Sequence, residues 1–362
     1  STYFLKNFDG VWGDKKLLCY GISEHVELAG THSGDATLVT PPHTISVDIQ
    51  AKLVMISSKI ARGLHVCGPF NVQFMIKGEW IGVIEMNLRA SRSTPFICKA
   101  LGIDFIGIAT KTMLGESVDA IPNDGLPYYS VKCPKFSFNR LPNSDPVVGI
   151  EMASTGEVAA YGANLAETYI AAYMGTGANL HNKAEQTFMV VGNNENVVKM
   201  IEDSGHLTTD DVRKADLVVD LTNSKEGKTV RRLAIDSCKP LIGNRRLLEL
   251  LLAGLGKEFE VHPYSYYKEL RSPRKVRLFI RQGFTQSGEN DKIKIQSGLD
   301  SIKKLETSML KLELVNGDQA ESKSTFKDNF EKKEGTKFTP ENFRRHRLRN
   351  LNKSEGIVVF RT

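Results

Sequence analysis

The sequence lacks paired cysteines and long hydrophobic runs. Its five cysteines are spread singly over 362 residues, with no C-x-x-C spacing, which excludes a zinc ribbon and argues against a disulfide framework. We therefore expect a reducing compartment and small, buried cysteine side chains. The longest apolar stretch, residues 247–255, has about half the length that a bilayer requires, so no membrane span is predicted.

Charge of one sign is also scarce in most of the chain. The formal net charge is +6, from 48 Lys and Arg against 42 Asp and Glu. Of these, 20 basic and 12 acidic residues follow residue 271, which leaves 28 and 30 before it. Because the positive excess lies at the C-terminal end, the rest of the chain gives no electrostatic reason to expect a nucleic-acid partner.

Residues 1–177 have the pattern of a mixed α/β segment. Apolar residues recur every three or four positions over residues 49–64, which predicts a helix. Two β-rich runs, 70–76 and 80–86, flank the polar residues 77–79, and a short gap that contains glycine predicts a hairpin. The remaining expectations are helices from about residue 90 and over 101–115, and an irregular, turn-rich region over 122–146.

A second segment, residues 178–271, alternates short apolar runs with helical patterns. The runs resemble strands buried in a parallel sheet, and they are residues 188–191, 217–221 and 240–242. The helical patterns that follow them are residues 194–204, 229–237 and 245–255. This alternation predicts a small doubly wound α/β domain. Residues 272–362 are basic and poor in aromatics, and we expect a largely disordered tail.

Three oxygen-bearing side chains are predicted to share one face of the hairpin. Glu85 and Asn87 are two residues apart on the second strand, so both point the same way. If the turn is centred on Gly78 and Glu79, Gln73 on the first strand lies roughly across from Glu85, on a neighbouring rung. Such an all-oxygen cluster suits Mg²⁺, which shares its other positions with phosphate and water. The alternative is the solvated face of an ordinary hairpin.

Two arginines follow this cluster. Arg89 and Arg92 are three residues apart at the expected helix start, where they would face the same way. Two guanidinium groups beside a metal–phosphate site can hold an anionic co-substrate. The alternative is that they form surface ion pairs.

A small polar loop lies upstream, at residues 30–35 (GTHSGD). Backbone N–H groups freed by glycine can cradle phosphates, and His32 and Ser33 can add donors. The alternative is a plain turn.

Four stretches of the sequence resemble carbamoyl phosphate synthetase, in family order and at family spacing. They are residues 23–37 (SEHVELAGTHSGDAT), 68–74 (GPFNVQF), 84–93 (IEMNLRASRS) and 154–158 (STGEV). The resemblance is to the C-terminal synthetase half of the large chain, which has the ATP-grasp fold, and especially to the ammonia-dependent urea-cycle enzyme of mitochondria. It covers residues 4–177 well and residues 178–270 more loosely.

The resemblance implies roles for specific residues. The family's second half phosphorylates carbamate with MgATP, or with Mn²⁺ as the ion, and yields carbamoyl phosphate and ADP. Gln73 and Glu85 would hold one ion and contact ATP, and Glu85 with Asn87 would hold the second. Arg89 and Arg92 would act at the carbamate and phosphate end. The residues that would line the nucleotide are Gly30, Thr31, His32 and Ser33.

The sequence also departs from the family pattern. By this resemblance we expect the chain to lack the family's earlier ATP-grasp subdomains and first synthetase half, and the strand at residues 4–10 looks shortened or replaced. The second segment resembles the allosteric, methylglyoxal-synthase-like domain, which binds N-acetylglutamate in the urea-cycle type. Strands between residues 205 and 217 look deleted. Asn223 matches an effector asparagine, but Asp220 and Gly227 stand where asparagine is expected, which argues against effector binding.

The function expected from these features is that of a portion of an ATP-dependent ligase. The missing synthetase halves would be its partners, and bicarbonate- and ammonia-derived intermediates its substrates. This chain alone is not expected to make carbamoyl phosphate. The alternative is a non-catalytic remnant that binds nucleotide. The mitochondrial matrix is the compartment that the resemblance implies, with the cytoplasm as the alternative, and no targeting signal is visible in this chain.

Overall fold

The computed structural model describes residues 3–123, 125–192, 194–271, 274–280, 310–315 and 357–361. The chain divides into two compact units, Ser1–Glu269 and Leu270–Thr362. The first unit contains a seven-stranded antiparallel sheet and a four-stranded parallel sheet, with helices packed on them. This architecture confirms the predicted α/β fold class.

The large sheet is built from the first seven strands of the chain. They are β1 (Phe4–Gly13), β2 (Lys16–Leu28), β3 (Leu38–Thr40), β4 (Gly68–Lys77), β5 (Trp80–Asn87), β6 (Tyr129–Phe136) and β7 (Ser154–Gly162). Their order across the sheet is β5-β4-β1-β2-β3-β6-β7, and all neighbours are antiparallel. The hairpin of β4 and β5 therefore lies at one edge of the sheet, as a connected pair.

The expectation of a shortened first strand is wrong. β1 has ten residues and pairs with both β2 and β4 inside the sheet. Its side chains alternate between the two faces, so Phe8 and Trp12 enter one core while Asn7 and Asp9 point to the opposite side. Buried polar residues at alternate positions make this strand look unlike a core strand in the sequence.

Helices cover both faces of the large sheet. They are α1 (Val47–Gly63), α2 (Thr94–Leu101), α3 (Phe105–Met113) and α4 (Leu165–Gly175). The Ser46 hydroxyl accepts a hydrogen bond from the Ile49 N–H and starts α1. Ile49 and Leu53 then pack in the same cluster as Phe8 and Phe70, which confirms the helix predicted over residues 49–64.

The expectation of an irregular region over residues 122–146 is wrong in part, because β6 lies within it. Pro134 made that stretch unlike a strand, since proline cannot donate to a ladder. The structure accommodates Pro134 because β3 pairs with β6 only as far as Lys132. Beyond that point β6 has a partner on one side alone, β7, which it follows to Phe136.

The parallel sheet follows the predicted alternation. Its strands are β8 (Thr187–Val190), β9 (Leu207–Thr209), β10 (Leu217–Val219) and β11 (Leu241–Ile242), in the order β11-β10-β8-β9. Its helices are α5 (Glu195–Asp203), α6 (Lys228–Asp236) and α7 (Arg245–Gly254). The short strand β9 was not predicted, because the residues between Gly205 and Leu217 contain no apolar run and the family's strands looked deleted there.

One hydrophobic cluster joins the two sheets. Val131 and Tyr169, from the large sheet and α4, share it with Phe188 and Leu217 of the parallel sheet. Asn164 and Asn244 cap α4 and α7, two of the helices in this layer, by accepting hydrogen bonds from two N–H groups each. The predicted boundary between residues 177 and 178 separates the two sheets in sequence, while the packing unites them.

The second unit contains a three-stranded sheet. Its strands are β12 (Arg274–Ile280), β13 (Leu310–Val315) and β14 (Ile357–Arg361), with β12 parallel to β13 and antiparallel to β14. These strands correct the expectation of a largely disordered tail at three places. In β12 and β13 the apolar residues alternate with charged ones, as at Val276, Leu278 and Ile280, whereas β14 begins with four consecutive apolar residues. The other residues of the tail lie outside the described residues.

The cysteines and the helices test two further expectations. Cys19 and Cys133 are buried, as predicted, and Cys98 is partly buried. Cys67, in the loop between α1 and β4, and Cys238, in the turn after α6, are exposed, contrary to that prediction. The described part of the chain contains no helix with the length and apolar character of a membrane span.

Candidate functional site

The β4–β5 hairpin brings the three predicted oxygen ligands together. Gln73 pairs directly with Glu85, and Asn71 pairs with Asn87. The turn is centred on Gly78, whose φ of +58° favours glycine, and Glu79. The Asn87 amide Nδ2 donates to Glu85 Oε1 at 3.0 Å. Glu85 is exposed, while Gln73 and Asn87 are half-buried, so one carboxylate and two amides share an accessible patch.

The hairpin cluster continues inward as a polar surface. Directly paired residues of an antiparallel sheet point to the same face. Gln73 is opposite Asn7 of β1, and Asn71 is opposite Asp9. The inner residues Asn7, Asn71 and Asp9 are almost fully buried. Because they are polar and lie under the exposed cluster, this face of the sheet differs from the apolar face that packs against α1.

Arg89 and Arg92 lie in the segment between β5 and α2. The helix begins at Thr94, so the expected helical spacing of the two arginines is wrong. Pro95 lies in the first turn of α2, where proline is tolerated because an N–H at that position has no intrahelical partner, so it marks the start of the helix. Both guanidinium groups are exposed. Arg89 Nη1 donates to the Ala90 carbonyl at 3.2 Å, and neither arginine forms an ion pair with another described residue.

The loop at residues 30–35 follows β2 and is held by its own hydrogen bonds. The His32 N–H donates to the Gly149 carbonyl, and His32 Nδ1 accepts from the Gly34 N–H at 3.0 Å. The Asp35 carboxylate accepts from the N–H groups of Ala153 and Ser154. Several N–H groups that a phosphate cradle would need are therefore already bound within the protein.

A buried lysine supports this loop from β6. Lys132 Nζ donates to the Gly34 carbonyl at 3.0 Å and lies 3.9 Å from the Glu157 carboxylate. Burial lowers the pKa of Lys132, although nearby carboxylates oppose the change. Burial, with the Lys132 charge as a second cause, also lowers the pKa of His25 to about 3. His25 is therefore neutral at physiological pH.

A cavity of about 500 Å³ lies between the large sheet and the C-terminal edge of the parallel sheet. Gly30, Thr31 and Asn223 line it, which places two predicted nucleotide residues beside the predicted effector residue. Among the described residues, none of the hairpin cluster lines this cavity. Glu27 is also in the wall, and burial raises its pKa to about 7.

Arg231 of α6 lies at the cavity between two acidic residues. Its guanidinium donates to both carboxylate oxygens of Asp145, at 2.8 and 2.7 Å, and to Asp220 Oδ2. A Cβ at Gly227 would lie 2.6 Å from Asp220 Oδ2 and 2.8 Å from Arg231 Nη1. The two departures from the expected asparagines, Asp220 and Gly227, are thus parts of one arrangement: glycine leaves room for the ion pair.

Four structurally important residues were not singled out from the sequence. They are Asp9, Glu27, Lys132 and Arg231, and all four are buried residues with ionisable side chains. Strand alternation places Asp9 and Lys132 on the polar face, so that signal was present for them. Arg231 becomes recognisable only with Asp145, which is 86 residues distant in sequence.

Comparison with known proteins relates this chain to carbamoyl-phosphate synthases. Residues 11–121 match the family described as carbamoyl-phosphate synthase L chain, ATP binding domain. The mitochondrial carbamoyl-phosphate synthase [ammonia] of Homo sapiens is 36% identical over 314 residues, which cover 72% of this chain and 21% of that protein. The multifunctional protein ura1 of Schizosaccharomyces pombe is 48% identical over 177 residues, which cover 48% of this chain and 8% of that protein.

These relatives are much longer than the chain, which spans about a fifth of the human protein and less than a tenth of the fission yeast one. Among solved structures, the biotin carboxylase subunit of pyruvate carboxylase matches with a TM-score of 0.38 and 13% identity, over 48% of this chain and 45% of that chain. A likeness at this level carries no argument about function.

Proposed function

We propose that this chain is a portion of a carbamoyl-phosphate synthase, because residues 11–121 match the ATP-binding domain family of its L chain. In this proposal the hairpin cluster binds MgATP, and the phosphoryl acceptor is carbamate. The observation that carries it is the register of the hairpin, which sets Glu85 opposite Gln73 and in hydrogen-bond contact with Asn87. All three residues lie within the matched segment.

The donor set of this cluster fits Mg²⁺. Carboxylate and amide oxygens are hard ligands, and Mg²⁺ keeps several positions for water and phosphate. Glu85 Oε1 accepts from Asn87 Nδ2, which leaves Oε2 and the Asn87 amide oxygen as candidate ligands. Gln73 would supply a third oxygen from the facing strand. When bound, the ion would neutralise phosphate charge during transfer. Mn²⁺ is an alternative ion with similar ligand preferences.

The arginines are proposed to bind the anionic groups of the reaction. Arg89 and Arg92 have fixed positive charges, and no described carboxylate pairs with either of them. Guanidinium groups bind carboxylate and phosphate oxygens with paired N–H donors. Arg89 and Arg92 would therefore hold carbamate and orient the transferred phosphoryl group. Gly30, Thr31, His32 and Ser33 would lie along the nucleotide.

The wider activity is also part of the proposal. The other segments found in the longer relatives would supply carbamate, from bicarbonate and ammonia, and the mitochondrial matrix is the proposed compartment. The human relative is named as a mitochondrial protein, whereas the name of the fission yeast relative gives no compartment. A cytoplasmic location is therefore the alternative.

N-acetylglutamate is not included in the proposed function. Asn223 lines the cavity, but the neighbouring Asp220 carboxylate already accepts hydrogen bonds from Arg231 and Thr222. An acidic effector at this point would face a carboxylate instead of an amide. The second segment, residues 178–271, is proposed to be a methylglyoxal-synthase-like domain that has lost this contact.

Calorimetric titration with MgADP tests the proposal. We expect saturable binding by the wild-type chain, and a loss of affinity of at least tenfold in Glu85→Gln, which removes the one carboxylate of the cluster. Glu79→Gln is the matched control, because Glu79 is an exposed carboxylate at the turn of the same hairpin and pairs only with Lys52 among the described residues. Its affinity should stay within about twofold of wild type.

Two results would contradict the proposal. Equal affinities for wild type and Glu85→Gln would mean that the nucleotide binds elsewhere. The absence of MgADP binding by a folded wild-type chain would favour the alternative, a remnant of the family without a working nucleotide site.

A further inference from the structure

Asp9 is a buried carboxylate surrounded by four hydrogen-bond donors. It lies on β1 and is 1% exposed. Oδ1 accepts from Asn71 Nδ2 and from the hydroxyls of Ser91 and Thr94, and Oδ2 accepts from the Ser93 hydroxyl at 2.8 Å.

Three of these donors belong to one short segment that leads from β5 into α2. Ser91, Ser93 and Thr94 direct their hydroxyls inward to Asp9, while Arg89 and Arg92 of the same segment are exposed. Ser91 lies between the two arginines in the chain, and Ser93 and Thr94 follow Arg92. The carboxylate therefore fixes which side chains of the segment point away from the sheet.

Asp9 is also connected to the ligand cluster. Its fourth donor, Asn71, is the residue of β4 that pairs with Asn87. One buried group thus contacts both the strand behind Asn87 and the segment that carries the arginines. These contacts can therefore set the distance between the proposed metal ligand Asn87 and the guanidinium groups of Arg89 and Arg92.

The donors around Asp9 are neutral hydroxyl and amide groups. Burial raises the pKa of Asp9, and the hydrogen bonds from Ser91, Ser93, Thr94 and Asn71 oppose that change. Hydrogen bonds offset the cost of burying the carboxylate, and three of its four donors come from the segment between β5 and α2. Hydroxyl donors on one neighbouring segment give directional contacts, which favour a positioning role.

We propose that Asp9 is a positioning residue that holds the segment between β5 and α2 so that Arg89 and Arg92 project beside Asn87. This inference rests on the proposed function, because the arginines are held for the phosphoryl and carbamate groups. Asp9 itself lies beneath the sheet surface and touches no substrate.

Hydrogen–deuterium exchange of the unliganded chain tests the anchoring without any ligand. In Asp9→Ala, we expect exchange in residues 88–94 to accelerate at least tenfold, while exchange in α1 changes by less than twofold. The double variant Ser91→Ala/Ser93→Ala removes two donors without altering β1 and should accelerate the same peptide. Asp14→Asn is the matched control, because Asp14 is an exposed acid in the turn after β1 and asparagine tolerates its φ of 51°.

Anion binding tests the positioning. With MgADP bound, we expect Asp9→Ala and the double serine variant to bind inorganic phosphate at least tenfold more weakly than wild type. Their affinity for MgADP itself should stay within about threefold, because Gln73, Glu85 and Asn87 are retained. A residue with a merely structural role would weaken both ligands together.

The outcomes separate this inference from the proposed function. Unchanged exchange at residues 88–94, or equal acceleration across all peptides, overturns the positioning role. So does a parallel loss of MgADP and phosphate affinity. If the wild-type chain binds no MgADP, the proposed function fails. The hydrogen–deuterium exchange of Asp9→Ala and of Ser91→Ala/Ser93→Ala then supports or overturns the anchoring by itself.

Discussion

The ion pairs of Arg231 give a stability prediction that can be worked out from the structure. The Asp220 side chain is fully buried and that of Arg231 is 2% exposed, whereas Asp145 is 31% exposed. Replacing Arg231 with alanine would leave Asp220 as a buried carboxylate without a cation. Asp145 could recover part of its hydration, because it already reaches solvent.

The expected loss is large for this reason. Removal of one partner from a buried ion pair costs about 3–5 kcal/mol, and a unit of roughly this size loses about 2–4 °C of Tm per kcal/mol. We therefore expect Arg231→Ala to lower the Tm, followed by circular dichroism at pH 7, by about 6–20 °C. The pair Arg245–Glu249 is the control, since both side chains are about half exposed. Arg245→Ala should change the stability by less than about 1 kcal/mol.

A second substitution tests the mechanism. If the orphaned charge is the cause, adding Asp220→Asn to Arg231→Ala should recover part of the lost Tm, because the amide carries no charge. A Tm for Arg231→Ala within about 2 °C of wild type would refute the reasoning. It would mean that the buried ion pair contributes no more to the free energy of unfolding than uncharged side chains at the same place.

Two further stability predictions follow from buried residues. Glu27→Gln should raise the free energy of unfolding at pH 8 by up to about 3 kcal/mol, measured by urea titration. Burial raises the pKa of Glu27 from 4.5 to about 7, so the stabilising contribution of the protonated acid is present below pH 4.5 and is lost as the pH rises through 7; equal stabilities at pH 8 would contradict this. Leu53→Ala should cost about 2–5 kcal/mol, because Leu53 is fully buried; a cost below about 1 kcal/mol would show that α1 repacks.

The hairpin was predictable because its signals are local. Alternation of apolar and polar residues sets the faces of each strand, and Gly78 fixes the turn, which places Gln73 within one residue of Glu85. A register shift between Gln73 and Phe74 then pairs Gln73 directly with Glu85, and the turn alone does not predict that step. The parallel sheet was similarly accessible, because short apolar runs and amphipathic helices alternate there. These features need no knowledge of distant contacts.

The features that escaped prediction depend on distant contacts. The segment that carries Arg89 and Arg92 has helical spacing in sequence, yet Ser91 and Ser93 bind Asp9, more than 80 residues away. The polar residues of β1 resemble a broken strand until the polar face of the whole sheet is known. The strands of the tail were obscured by the many charged residues of that region, although β12 and β13 alternate and β14 begins with an apolar run. Local patterns thus predicted elements, and long-range pairing decided their ends.

The charges of the candidate site indicate in which order its ligands can bind. Glu85 supplies one negative charge, and the nearby Arg89 and Arg92 are both positive. A divalent cation alone would therefore meet one carboxylate and two repelling guanidinium groups, and its affinity should be weak. A nucleotide phosphate chain reverses this balance, because it adds oxygen ligands for the ion and negative charge beside it. The site should therefore recognise the metal–nucleotide complex as one ligand, so that Mg²⁺ without ADP gives no saturable heat in the calorimeter.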